Sequence, residues 1–188
     1  MQVNKFIQEL KTINADITAV YNGHMSIQHN DPRIYLIQGL NTRKKFIEKN
    51  LKTAVYNEVL PVIVNKAIKP YAGKAIGEKR KKAIQEAAQN LTGFRCLLSM
   101  RCDGFDIYFC IEGSRFTFYI PHAFKDGKLA DFHLMPSDEE YINDYDKVIM
   151  NAENQKAEIL SKYKELETLI SAFNRTAAGY EHMYITLR

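Results

Sequence analysis

The stretch from Lys69 to Ile84, KPYAGKAIGEKRKKAI, brings several cations to the beginning of a predicted helix. Its four consecutive basic residues follow the glycines at 73 and 77 and precede apolar residues with helical spacing. The N-terminus of a helix is the positive end of its dipole, so cations there are mildly unfavourable. An anion reverses that sign, because the first backbone N–H groups of a helix are free to bind it. The stretch therefore predicts a contact surface for phosphate or for acidic side chains.

The predicted contact surface extends beyond these four cations. Tyr71 offers a ring on which a base can stack, and Lys74 lies between the two glycines. A second basic run, residues 43–45, follows a predicted helix start at Asn41 or Thr42. Such a pattern is typical of a protein that binds nucleic acid or an acidic protein surface. The candidate binding residues are Tyr71, Lys74, Lys79, Arg80, Lys81, Lys82, Arg43, Lys44 and Lys45.

Two plainer explanations of this surface stay open at the level of sequence. The lysines can form an ordinary solvated helix face, in which Glu78 and Glu86 pair with lysines three or four residues away. Alternatively, the basic segment 41–82 can pack beside the acidic segment 131–167. The first has twelve basic and three acidic residues, and the second has ten acidic residues and four lysines. Such asymmetry indicates either an electrostatic partner or contact between the segments.

Catalytic motifs are missing from the sequence. Gly73–Lys74 lacks the earlier glycine and the following hydroxyl residue of a phosphate-binding loop, and no predicted strand leads into it as in a dinucleotide-binding turn. A magnesium nuclease centre would draw on Asp103, Asp106 and Glu112, since such centres collect acids from strands. No lysine at a suitable spacing makes that assignment specific. We predict a non-enzyme with no catalytic residue and no cofactor, and keep the nuclease as an alternative.

The five histidines and three cysteines do not have the spacing of a metal site, so we predict no metal. The cysteines Cys96, Cys102 and Cys110 are odd in number and are interpreted as small apolar residues in or beside strands of a protein in a reducing compartment. The N-terminal segment is broken by charges and does not read as a signal peptide. No apolar run approaches the roughly 20 residues of a membrane-spanning helix. These features predict a cytoplasmic protein with no membrane partner.

Apolar spacing predicts a mostly helical first half, residues 1–90. Steps of three and four residues mark helices, whereas HMSIQ and RIYLIQ, joined by HNDP, resemble two short strands. Pro61 is expected to kink or divide its helix near Leu60. The predicted elements are a helix over 2–21 that ends at Asn22–Gly23, a β-hairpin over 24–38, a helix over 41–68 and a helix over 78–90.

The second half changes character. Residues 91–136 contain FRCLLSMR, FDIYFCIE, RFTFYIP and LADFHLM, four segments rich in aromatic and β-branched residues and joined by glycine turns. They predict an antiparallel meander. Proline and acids at 136–140 then predict the start of a long helix over 137–178. The predicted fold is one α+β domain, 1–188, with an antiparallel sheet of about four to six strands packed against helices.

The long helix carries a heptad seam. From Ile142 to Phe173 apolar residues recur at alternating steps of three and four, interrupted by Lys156. This is the spacing of a coiled coil. Two uses stay open: the seam packs within the chain, on the sheet or on the helix over 41–68, or it forms a homodimer through 142–173 in which Lys156 sets the register.

The stretch Lys69–Lys82, ahead of an alanine-rich helix, resembles a segment of small accessory proteins of bacterial phages. Lysine-rich helices, many tyrosines and the absence of tryptophan add to that resemblance. Some of these proteins are anti-CRISPR inhibitors, which bind an RNA-guided nuclease. The resemblance implies a phage-type inhibitor in the host cytoplasm that docks on a host nucleic-acid-handling complex. The alternative is a regulatory module that binds DNA or RNA directly.

Overall fold

The computed structural model describes residues 2–23, 26–29, 31–134 and 144–186. The chain is of the α+β class, as predicted: in the described residues, helices accompany one three-stranded and one two-stranded antiparallel sheet. The chain divides into two compact units. The first takes its described residues from 1–11 and 47–141, and the second takes them from 12–46 and 142–188.

The helices have the bounds α1 Gln2–Tyr21, α2 Arg33–Ala54, α3 Leu60–Ile63, α4 Glu78–Thr92 and α5 Asp144–Thr176. The predicted helices over 2–21 and 78–90 are confirmed as α1 and α4. The first ends at Asn22 and Gly23 because both take positive φ angles, 45° and 77°. The second ends at Gly93, where a left-handed backbone lets the N–H bond to the Gln89 carbonyl at 2.7 Å.

The predicted β-hairpin over 24–38 is wrong, because its second half is the beginning of α2. Asp31 caps this helix: its carboxylate accepts a hydrogen bond from the Arg33 backbone N–H at 2.9 Å and forms an ion pair with the Arg33 guanidinium. Pro32 suits the first turn, where no N–H is needed. Ile37 is buried, so the apolar residues of RIYLIQ serve a helix face. The first half of the predicted hairpin lies partly outside the described residues.

A helical segment continues from α2 to a 3₁₀ turn at Lys69–Tyr71. It passes through two wider π-helical turns, Val55–Val59 and Val64–Ile68, on either side of α3. The kink or division expected at Pro61 takes the form of a change from π-helical to α-helical bonding at Leu60, and the backbone stays helical through it. The predicted start at Asn41 or Thr42 is wrong, because α2 is capped at Asp31 and these residues lie inside it.

The three-stranded sheet has the order β1 Arg95–Met100, β2 Phe105–Ile111 and β3 Ser114–Ile120. The apolar residues that alternate along each strand are buried, as the period of two requires, and Asp106 of β2 is buried as well. The Phe109 ring lies edge-on against Phe118 at 5.8 Å, and Phe118 also contacts Tyr56 of the first π-helical turn at 5.8 Å. The inward face of the sheet thus supplies the aromatic core of the first unit.

The prediction of four to six strands in one sheet is wrong, because the described residues 129–134 of the expected fourth strand, LADFHLM, do not join the meander. In its place a separate short hairpin pairs β4 Phe124–Lys125 with β5 Lys128–Leu129. Asp126 and Gly127 take positive φ and form its two-residue turn. Leu129 then bonds the loop before α4: its N–H donates to the Lys74 carbonyl and its carbonyl accepts from the Gly73 N–H. These bonds occupy the backbone of Leu129.

In the second unit α5 packs on α2. The predicted long helix is confirmed over 144–176, and its predicted start at 136–140 lies outside the described residues. A Cβ added to Gly39 would lie 3.0 Å from both Ala157 Cβ and Asn154 Oδ1, so the glycine lets the two helices approach closely. Two residues of the predicted seam, Ile159 and Tyr163, are 66% and 52% exposed.

The chain after α5 folds back on the end of that helix. A turn at Gly179 leads into a 3₁₀ turn, Glu181–Met183. The Asn174 side chain donates to the Ile185 carbonyl and accepts from the Ile185 N–H, both at 2.9 Å. This pair of bonds holds the tail against α5.

Candidate nucleic-acid interface

The candidate site lies where the beginning of α4 meets the outward face of the sheet, both in the first unit. The α4 helix starts after Gly77, whose backbone is extended. The Gln85 side-chain oxygen accepts a hydrogen bond from the Leu98 N–H at 3.4 Å, which fastens α4 along the free edge of β1. The basic side chains of α4 are thereby held beside the strands.

The four cations of α4 are held in different ways. Arg80 donates from Nη1 to the Ala75 carbonyl at 2.5 Å and so braces the loop before the helix. Lys81 lies 3.4 Å from Glu78, and the predicted pairing of Lys82 with Glu86 is a looser contact of 3.9 Å. Ion pairs of this exposed kind are weak, so both lysines stay available to a stronger anion. The Lys79 side chain is exposed.

The outward face of the sheet is basic and aromatic. Its residues alternate with the buried ones and oppose each other across the strands. Arg101, directly after β1, reaches back over the same face. The outward residues are Arg95, Leu97, Ser99, Asp106, Tyr108, Cys110, Arg115, Thr117 and Tyr119.

Two arginines on this face lie over tyrosine rings. The Arg115 guanidinium is 4.5 Å from the centre of the Tyr108 ring, and the Arg101 guanidinium is 4.8 Å from the centre of the Tyr119 ring. Cation–π contact orients each guanidinium over the ring beneath it. The face therefore presents two charged groups in prearranged positions.

A buried carboxylate orients this arrangement. The Asp106 side chain is 4% exposed and accepts two hydrogen bonds from Arg101, at 2.7 and 3.1 Å, and one from the Tyr108 hydroxyl at 3.3 Å. On the other flank the Tyr119 hydroxyl donates to Asp103 at 2.7 Å. The tyrosine of each arginine–tyrosine pair is thus hydrogen-bonded to an acid: Tyr108 to Asp106 of β2, and Tyr119 to Asp103 in the turn before β2.

These contacts shift the pKa values of Asp103, Tyr119 and Arg101, each in the direction that favours its charge state at neutral pH. The hydrogen bond from Tyr119 lowers the pKa of Asp103, and the same bond raises the pKa of Tyr119. The hydrogen bonds to Asp106 raise the pKa of Arg101. All three groups therefore hold their ordinary neutral-pH charge state, and the face keeps its charge pattern at neutral pH.

An open groove of about 770 Å³ runs between α4 and the outward face. Basic groups predominate in its lining, with Lys79, Lys81 and Lys82 on one side and Arg115 on the other, against the single acid Glu78. The remaining lining residues are Gln85, Leu97, Leu98, Ser99 and Tyr108. The groove thus combines a cationic wall with an apolar and aromatic floor.

The other predicted site residues lie elsewhere. Lys74 and Tyr71 contact each other, with Nζ 5.9 Å from the ring centre, in the loop before α4 and outside the groove lining. The predicted placement of residues 43–45 at a helix start is wrong: they lie in the middle of α2 and in the second unit. Of the nine predicted binding residues, three therefore line one groove in the structure.

The acids of the alternative nuclease centre do not converge. Asp106 is held by Arg101 and Asp103 by Tyr119, whereas Glu112 lies past the opposite end of β2 and pairs with Lys11 at 3.6 Å. In the described part of the chain no three His, Cys, Asp or Glu side chains cluster as metal ligands would. No described helix has the length and apolar character needed to span a bilayer.

Comparison with protein families, curated proteins and solved structures found no match to this chain.

Sequence reasoning missed the sheet residues of the groove and its flank, Tyr108, Arg115, Arg101 and Tyr119. A signal for the strand residues was present, because Arg115, Thr117 and Tyr119 alternate with the buried phenylalanines of β3. The missing information was the register. Only the pairing of β2 with β3 shows that Arg115 lies over Tyr108 and that Asp106 opposes Tyr119.

Proposed function

We propose that this chain binds single-stranded nucleic acid without catalysis, along the groove between α4 and the outward face of the sheet. The observation that carries the proposal is the composition of that groove: three lysines face an arginine stacked on a tyrosine. The arrangement supports both recognition elements that such ligands need, a charged track for phosphates and planar groups for bases.

The lysines supply the phosphate track. Lys79, Lys81 and Lys82 all lie within the first five residues of α4, where the helix dipole also favours anions. Their partners Glu78 and Glu86 are largely exposed, and a phosphate can replace them at little cost. Displacement of counterions from the nucleic acid would then drive binding and make it salt-dependent.

The arginine–tyrosine pairs supply the base contacts. An unpaired base stacks on an aromatic ring or on a guanidinium plane, and both are present at Tyr108 and Arg115. Bases inside a duplex are stacked on each other and present only their edges, so this surface favours single strands. Leu97, 37% exposed beside Tyr108, extends the apolar floor.

The inhibitor function implied by the phage resemblance stays a prediction. It would use the same groove, with carboxylates of an acidic protein surface in place of phosphates. Stacking of bases on the arginine–tyrosine pairs has no counterpart in that interaction, which is why we favour nucleic acid as the ligand.

The test is fluorescence anisotropy with labelled single-stranded RNA, single-stranded DNA and duplex DNA over a salt series. The variant Lys79→Ala/Lys81→Ala/Lys82→Ala should lose at least about tenfold in affinity, and its salt slope should fall by about 2, near 0.7 per neutralised phosphate. The matched control Arg43→Ala/Lys44→Ala/Lys45→Ala removes the same charge from the middle of α2. It should bind within about twofold of wild type.

A second variant separates stacking from charge. Arg115→Lys keeps the cation but loses the planar group, so it should weaken single-strand binding while it leaves the salt slope unchanged. Absence of binding by the wild type, or equal losses in the two triple variants, would overturn the proposal. Capture of an acidic host protein by wild type but not by the α4 variant would then favour the inhibitor function.

A further inference from the structure

A second surface of the chain is apolar and uncovered. Eight apolar side chains of α5 are each at least 38% exposed, a density unusual for one helix of a monomeric soluble protein. Leu169, Ile159 and Val148 are the most exposed, at 67%, 66% and 65%. The others are Ile149, Leu160, Tyr163, Leu166 and Phe173.

Most of these side chains, among them Ile159, Tyr163 and Leu166, lie on the side of α5 that faces away from α2, whereas Leu160 lines a cleft beside Tyr35 and Gln38 of α2. The contact with α2 uses small and polar residues, Asn154, Ala157 and the buried Ser161. Successive residues of a helix advance by about 100°, so Ile159 and Tyr163 lie about 160–200° from Ser161. Apart from Leu160, these apolar residues are therefore not needed for the contact between α5 and α2.

Their spacing is that of a coiled-coil seam. From Ile149 to Phe173 the residues at alternating steps of three and four occupy the a and d positions of more than three heptads, and Lys156 interrupts them. A period of 3.5 residues keeps one stripe directed at a partner helix along the whole length. We propose that α5 forms an antiparallel coiled-coil dimer with α5 of a second copy of this chain.

The seam itself favours a second copy as the occupant. A strictly repeating heptad stripe is complementary to an identical stripe, as the isologous interface of a twofold dimer requires. The helix is 33 residues long, and an antiparallel pair centred between Tyr163 and Leu166 overlaps over residues 153–176, about 36 Å, so the two stripes can bury a continuous contact. Leu169 flanks the seam on the side away from Leu160 and widens it there.

Charge favours the antiparallel orientation. A parallel dimer in register would place Lys156 against its own copy inside the seam. An antiparallel dimer centred between Tyr163 and Leu166 places it opposite Phe173, where a cation can lie on a ring. In that arrangement residues 153–164 lie along residues 165–176. The first stretch has two acids and three bases, and the second has two acids and one base. Antiparallel pairing sets these oppositely charged stretches side by side, and it opposes the two helix dipoles.

The oligomeric state tests this proposal in the full chain. Sedimentation velocity from about 1 to 200 μM should show a concentration-dependent dimer for the wild type. Leu166→Asp should shift dissociation to at least about tenfold higher concentration, because it buries a charge in the seam. Ser171→Asp, an exposed position outside the seam, is the matched control and should dimerise as the wild type does. Circular dichroism should show equal helix content in all three.

Cross-linking tests the orientation in a Cys102→Ser/Cys110→Ser background. A mixture of Tyr163→Cys and Leu166→Cys chains should form a disulfide between unlike chains, whereas Ile149→Cys chains should not cross-link to each other. A wild type that stays monomeric at 200 μM would overturn the proposal. Efficient cross-linking through Ile149→Cys would overturn the antiparallel arrangement.

Discussion

The two faces of the β1–β3 sheet are built from alternate residues of the same strands, but different interactions stabilise them. The inward face is a packed layer of phenylalanine and isoleucine in which Phe109 and Ile107 are fully buried. The outward face is a set of charged and aromatic side chains in which Asp106 and Asp103 orient Arg101, Tyr108 and Tyr119.

This difference between the faces indicates which substitutions should affect stability and which should affect binding. Burial on the inward face contributes to folding, because about 25 cal/mol accompanies each Å² of apolar surface removed from water. On the outward face each bond replaces a bond to water, so its net contribution to folding is small. What the outward bonds provide is geometry, and geometry matters for recognition. Four predictions test that division.

The largest effect is expected for neighbouring residues of β2 on opposite faces. Phe109→Ala should reduce the free energy of unfolding by about 3–5 kcal/mol, since it leaves a cavity beside Phe118. Tyr108→Ala should cost about 1 kcal/mol or less but should weaken nucleic-acid binding. Urea denaturation and anisotropy on both variants decide the point. Similar losses of stability would erase the distinction between the faces.

Asp106 sharpens the comparison because it is an outward residue that is buried. Asp106→Asn should reduce the free energy of unfolding by about 1–3 kcal/mol, since a charged acceptor of three hydrogen bonds is lost. It should also weaken nucleic-acid binding, although it removes a negative charge, because Arg101 and Tyr108 lose their orientation. The control Asp131→Asn removes an exposed acid elsewhere. Tighter binding by Asp106→Asn would mean that charge, and not geometry, governs the face.

The reactivity of the three cysteine thiols distinguishes the buried inward face from the exposed outward face. Burial raises the pKa of the inward Cys96 thiol to about 12, whereas the outward Cys110 and the adjoining Cys102 are exposed. At pH 8 a thiol-specific dye should label two cysteines quickly and the third only after urea is added, since the thiolate is the reactive species. Mass spectrometry should find the unlabelled site at Cys96. Rapid reaction of all three would show that the inward face is open to solvent.

The smallest effect concerns pH at the edge of the outward face. Because the pKa of Asp103 is lowered, its bond to Tyr119 should stabilise the fold above the ordinary aspartate pKa and lose that effect as the pH falls through the lowered value. Because the pKa of Tyr119 is raised, its part is complete below the ordinary tyrosine pKa and is lost as the pH rises through the raised value.

NMR titration of the carboxyl carbon measures this effect. Tyr119→Phe should return the pKa of Asp103 towards its ordinary value, whereas Tyr108→Phe, which removes a hydroxyl bonded to Asp106, should leave it unchanged. An Asp103 pKa that is the same in wild type and Tyr119→Phe would contradict the assigned cause.

The sequence correctly predicted those elements in which the apolar spacing and the residues at the ends indicate the same secondary structure. The helices α1 and α4 and the three long strands follow from apolar spacing with glycine or asparagine at their ends. The prediction of a hairpin over 24–38 was wrong because it relied on β-forming side chains. The pair Asp31–Pro32, which is typical of a helix start, was already visible in the sequence. The prediction of a fourth strand was wrong because the backbone of Leu129 forms hydrogen bonds with Gly73 and Lys74. This loop is far from Leu129 in the sequence.

The sequence by itself determined the α+β class, the basic beginning of α4 and the heptad period of α5, since each depends on spacing within one element. Only the tertiary structure decided what those features face. Strand register placed Arg115 over Tyr108 beside the α4 lysines, and the close approach of α2 at Gly39 turned the small residues of α5 inward and its apolar seam outward. Periodicity specifies that a helix has an apolar side, but the shape of the neighbouring helix determines which side it covers.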